Sequence, residues 1–135
     1  MFPTGENART IYLYKNGNEF PIEIKIIENP NEIFIPNNDI CDSNRFVGSD
    51  LFECLVQLRL FLEAKSIFVL CNGSRIDVYP SRLIRQMTNG RMAYILKSNT
   101  PTSSEFLVDI FDKADANKVG TVKEQIEFYK NWVQE

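Results

Sequence analysis

Carboxylates, hydroxyls and thiols are the only side chains here that could carry chemistry, because the 135 residues contain no histidine. That removes the usual general base and the usual zinc ligand. Asp77 stands two residues from Arg75 and four from Ser81, so a carboxylate could polarise a hydroxyl while a guanidinium clamps a phosphate. Phosphoryl transfer also draws on a glycine-rich cradle and an acidic metal cluster, and the sequence offers neither. Ser104 and the cysteines lack a base in the same way. Cys41, Cys54 and Cys71 are 13 and 17 residues apart and form no CxxC, so a soft metal site is excluded and Cys54 and Cys71 read as small buried hydrophobes. The run from Asp112 to Gly120 resembles a calcium loop, but its register fails. With Asp115 first and Gly120 sixth, Val119 takes position 5 and Ile126 takes position 12, and both oxygen ligands are lost. The reading is therefore of a protein that is not an enzyme and uses no metal or cofactor.

The elements follow from periodicity and turn chemistry. Tyr12 to Lys15, Asn16-Gly17-Asn18 and Glu19 onward predict a β-hairpin with a type I′ turn. Phe20, Ile22, Ile24 and Ile26 alternate with polar residues, as a half-buried antiparallel strand requires, and Pro21 points to an edge or a strand start. Glu32 to Ile35 adds a short third strand. Asp50 with Glu53 forms a capping box, and Leu51, Leu55, Leu58 and Leu62 then recur at helical spacing to about Lys65. Ile67 to Leu70 is apolar without alternation, which predicts a strand central in the sheet. Pro80 to Asn89 predicts a short helix with Leu83, Ile84 and Met87 inward and Arg82, Arg85 and Gln86 outward. Met92 to Lys97 and Phe106 to Phe111 read as two more strands. Thr121 and Glu124 cap a last helix with Val122, Ile126, Tyr129 and Val133 as its buried side, Phe128 and Trp132 beside them. The expected fold is α+β: a single domain over residues 1–135, with two main helices and one short one on a mostly antiparallel sheet of about five to six strands.

Charge is polarised along this chain. Residues 1–64 hold 5 basic and 10 acidic side chains, residues 65–97 hold 6 and 1, and residues 98–135 hold 4 and 7. A basic centre with Arg75, Arg82, Arg85 and Arg91 lies between acidic flanks that include Asp39, Asp42, Asp50, Asp109, Asp112 and Asp115. Such patches either attract a charged partner or neutralise one another within the fold. Arg75, Asp77, Ile76 and Val78 fit a short strand in which the two charges pair and the two aliphatic residues enter the core. Arg82 and Arg85 are expected on the surface. Met1 to Glu6 has no basic or apolar leader and no apolar run is long enough to span a bilayer, which predicts a cytoplasmic protein with no membrane partner.

Cys71-Asn72-Gly73-Ser74-Arg75-Ile76-Asp77-Val78-Tyr79-Pro80-Ser81, with Met87, Gly90 and Tyr94 and then Val108-Asp109-Ile110-Phe111-Asp112, resembles a pattern in small bacterial immunity proteins. Those belong to polymorphic toxin systems such as contact-dependent growth inhibition and Rhs systems. The resemblance covers residues 66–112. It implies a protein that binds a cognate toxin C-terminal domain and covers its active site or target-binding surface, with no catalytic residues carried over. Asp39, Asp42, Arg75, Tyr79, Arg82 and Arg85 are the candidates for that contact, and homo-oligomerisation stays open. The alternative is an RNA-binding or ribonucleoprotein accessory module that uses the central arginines. It ranks second because the chain carries a net charge of −3 and no recognised nucleic-acid fold, so nucleic acid is not the expected partner.

Overall fold

The computed structural model describes residues 7–36 and 44–135. β1 (Asn7–Lys15) and β2 (Asn18–Ile27) form the hairpin, in register from Lys15 opposite Asn18 to Asn7 opposite Ile26. Its two-residue turn has Asn16 at φ 51° and Gly17 at φ 80°, both positive as a type I′ turn demands. Ile22, Ile24 and Ile26 of β2 face the core with Ile11 and Leu13 of β1. β3 (Glu32–Phe34) pairs with the end of β2, and β4 (Arg45–Val47) pairs with β3. β5 (Phe68–Val69) pairs with β1, giving a five-stranded antiparallel sheet of order β4-β3-β2-β1-β5. β2 is thus an inner strand, yet β3 covers only Lys25–Ile27, so Pro21 sits where that side of β2 has no strand partner.

β5 is at the end of the sheet, not its centre. The apolar run correctly signals burial, since Ile67, Val69 and Leu70 are at most 2% exposed. What covers it is a loop instead of a second strand. Ala114 N–H donates to Leu70 O, Asn72 N–H to Asp112 O and Gly73 N–H to Ile110 O, and Cys71 bridges Lys113. An unbroken apolar run records that water is excluded, and carries no information on which element excludes it.

α1 (Leu51–Glu63) packs against β3, β4 and β5 with Leu51, Phe52, Leu55, Leu58 and Leu62 buried. Asp50 caps it by accepting from Glu53 N–H at 2.8 Å. The Glu53 carboxylate reaches one residue beyond the cap, to the Ser49 N–H and hydroxyl. β6 (Val78–Tyr79), β7 (Met92–Ile95) and β8 (Leu107–Asp109) form a second antiparallel sheet of order β6-β7-β8. α2 (Arg82–Thr88) links β6 to β7, and α3 (Val122–Val133) closes the chain. Val78, Ala93, Ile110 and Phe111 join the residues under the large sheet in one core, so the α+β fold is a single domain with two sheets. β4 was not predicted, and β6 keeps only the Val78 end of the short strand read over Arg75 to Val78. Strands of three and two residues are too short for an alternation to register.

Two helix faces differ from expectation. On α2 only Ile84 is buried, Leu83 and Met87 are 64% and 70% exposed, and Arg85 turns inward to an acid. The single inward position suffices because α2 is two turns long and meets the body along one line. On α3 the capping box of Thr121 and Glu124 forms as predicted. Its inward face is led by Val122 and Gln125, while Val133 is 55% exposed.

Candidate functional site

The segment 71–82 begins with a 3-10 turn over Asn72–Ser74 and ends at Ser81, whose hydroxyl accepts from Ile84 N–H and starts α2. Two buried side chains hold it from beneath. Arg59, 2% exposed on α1, donates to Gly73 O at 3.1 Å, to Gly120 O at 3.1 Å and to Gln125 Oε1 at 2.7 Å. The amide nitrogen of Gln125, 1% exposed on α3, lies 2.8 to 2.9 Å from the carbonyls of Gly73, Arg75 and Val78. Glu63, at 4.0 Å from Arg59, accepts from Val122 N–H at the start of α3. Burial pushes the Glu63 carboxyl up, against the pull of Arg59 and that N–H. The segment that carries the resemblance is thereby tied to α1, α3 and the loop at Gly120 at once. Neither Arg59 nor Gln125 was singled out from sequence. The available signal was their phase: Arg59 follows Leu55 by four residues and Gln125 follows Val122 by three, on the apolar side of each helix.

Most of the candidate charges are engaged within the fold. Arg75 makes a two-toothed pair with Asp77, both contacts at 2.8 Å. Arg85 holds Asp50 through Nε at 2.8 Å and Nη2 at 3.2 Å, and its guanidinium lies over the Phe52 ring. Burial raises the Asp50 carboxyl, but the hydrogen bonds from Arg85 and Glu53 N–H outweigh it and hold the group below its ordinary value of 3.8. Arg91 Nε lies 3.0 Å from both oxygens of Asp109, Arg9 pairs with Asp112 and Lys113 with Glu19. Opposed charges from distant segments therefore neutralise each other across the molecule. Arg82 is the exception: it is exposed and pairs with no carboxylate among the described residues. Asp39 and Asp42 lie outside the described residues, as does Cys41.

Tyr79 is a packing residue, stacked on Tyr129 at 4.2 Å between centroids and met edge-on by Phe52 at 5.3 Å. Trp132 continues the row and donates its indole N–H to Lys97 O. A cleft of roughly 190 Å³ opens between α1, α2 and α3 over Phe52, Val56, Tyr79 and Ile126. Its charged rim groups, Glu53 and Arg85, are both committed to partners within the fold, so the cleft presents no free acid–base pair. Burial pushes the Cys54 thiol up to about 12 and raises that of Cys71 as well, which leaves both as thiols at neutral pH. Asp115 starts the 3-10 turn Ala116–Lys118, and Asp112 is held by Arg9.

Comparison with protein-family models and with curated proteins gives no match for this chain.

Proposed function

We propose that this chain is an immunity protein, which binds a cognate toxin domain and blocks its active site or the surface it uses on its target. The observation that carries this reading is where the polar and apolar groups are spent. Asp77, the carboxylate an enzyme would use, is held in both oxygens by Arg75, while large apolar side chains stand in solvent on α2. A body whose arginines are mostly paired internally and which displays large hydrophobic side chains on one helix is suited to holding another protein. The resemblance of residues 66–112 to immunity proteins supports the same reading. The RNA-binding alternative relies on the central arginines, and Arg75, Arg85 and Arg91 are already occupied by Asp77, Asp50 and Asp109.

An immunity gene lies next to its toxin gene, so the test uses the toxin domain encoded directly upstream. Expressing that domain in bacteria should stop growth, and co-expressing this chain should restore it and yield a complex that survives size-exclusion chromatography. Continued growth arrest with both proteins present and soluble would count against the proposal. Binding to bulk RNA that weakens steeply with salt would favour the alternative.

A further inference from the structure

We infer that the outward face of α2 is the surface that meets the protein partner, and that the partner sets a carboxylate against Arg82 beside an apolar depression that receives Leu83 and Met87. This rests on the binding reading above and gives it a place and a chemistry. At about 100° per residue, Arg82, Gln86, Leu83 and Met87 follow one another around one side of the helix, and Ile84 and Thr88 fall on the other. Ile84 is buried, while Leu83 and Met87 are 64% and 70% exposed. An Arg beside two adaptable aliphatic side chains is the composition of an interface core.

The charge that fits this face is read from the arginines. The chain has seven, and Arg9, Arg45, Arg59, Arg75, Arg85 and Arg91 each have a carboxylate within 4.0 Å. Arg82 has none. A fold that supplies an acid to every other arginine leaves this one, next to two exposed hydrophobic residues, for an acid on another molecule. The exposed Val47 and Leu60 lack that combination, since the cation near them, Arg45, is bound to Glu32.

The face is also rigid. Arg85 fixes α2 to Asp50, the Thr88 hydroxyl joins Ile84 O to Met92 N–H, and the Asn89 amide donates to Glu28 and Asn31. Docking therefore orders little backbone.

The experiment measures affinity between the upstream toxin domain and this protein by biolayer interferometry, for wild type, Arg82→Glu, Leu83→Ser with Met87→Ser, and the distant control Val47→Ser with Leu60→Ser. Circular dichroism establishes that each variant is folded, which exposed positions allow. Both α2 variants should bind about thirtyfold more weakly or worse, and the control should stay within about twofold of wild type. Replacing the opposing carboxylate of the toxin with lysine should recover binding to Arg82→Glu. Tight wild-type binding that the α2 variants leave unchanged overturns this inference and leaves the immunity reading standing. A wild-type protein that does not bind the toxin overturns both. Binding to bulk RNA that Arg82→Glu abolishes would make α2 a nucleic-acid surface and overturn the inference as well.

Discussion

Arg59 and Gln125 are two polar side chains at the centre of an apolar body, bonded to each other and to the carbonyls of the segment above. Gln125 Oε1 is the side-chain acceptor for Arg59, and the amide nitrogen of Gln125 satisfies carbonyls of the segment above. Removing Gln125 takes one of three acceptors from a buried cation, which keeps Gly73 O and Gly120 O, and takes the amide from the carbonyls of Arg75 and Val78. Gln125→Leu should lower stability by about 3 kcal/mol in urea unfolding at pH 7; a loss below about 1 kcal/mol would mean that water replaces the amide. Asp50 contributes through its charge, held by Arg85 and the Glu53 N–H. Its folded pKa is depressed, so its contribution is complete above the ordinary value of 3.8 and disappears as pH falls through the lower folded value. Asp50→Asn keeps the helix cap and removes the pair with Arg85. The variant should be less stable at pH 7 by about 1 kcal/mol, and wild type and variant should converge as the pH falls through the lowered folded pKa of Asp50. Unfolding curves across that range check the sign. Cys54 and Cys71, buried as thiols, should stay unlabelled by iodoacetamide in the native protein at pH 8 and react once it is unfolded. Mass spectrometry of the labelled peptides reads this, and native labelling of either one would contradict its burial.

Helices and hairpin were legible where a local rule acts alone. Asn16-Gly17 fixed the turn, Asp50 and Thr121 marked the starts of α1 and α3, and the isoleucines of β2 gave its face, while α2 begins after Ser81, two residues later than the expected start at Pro80. What was not legible depends on contacts far apart in sequence. β5 takes its cover from residues 110–114, β4 and β6 exist only through their neighbours, and α2 turned its aliphatic residues outward because Arg85 had an acid 35 residues away. α2 also depends on Gly90, which follows its left-handed cap residue Asn89 and has φ of 74°. A Cβ there would lie 2.7 Å from Asp50 Cγ and 2.8 Å from Phe52 N, so the backbone of α1 would have to shift. Gly90→Ala should cost about 2 to 3 kcal/mol, from positive φ and overpacking together, and should loosen both helix starts at once. Amide hydrogen exchange checks this through faster exchange at Glu53 N–H and Ile84 N–H; an effect confined to α2 would contradict the shared junction.

Across the entire chain, the polarisation of charge along the sequence and the distribution in the folded state are different facts. Three basic residues of the central segment pair with acids, two of them on the flanks, so the net field of the centre is largely cancelled. Of the candidate contact residues, Arg75, Tyr79 and Arg85 are bound into the fold, Asp39 and Asp42 lie outside the described residues, and Arg82, beside Leu83 and Met87, pairs with no carboxylate among the described residues. The candidates were chosen by charge and residue type, and only three-dimensional pairing could separate the satisfied from the unsatisfied. The proposed immunity role would act by occupancy, and occupancy has a stoichiometry. Titrating a fixed amount of the upstream toxin domain with this protein and following the toxin's own activity should give a straight decline that reaches zero at one molecule per molecule. A toxin that stays active in excess protein, or that is silenced by a small fraction of an equivalent, would contradict a mechanism based on binding alone.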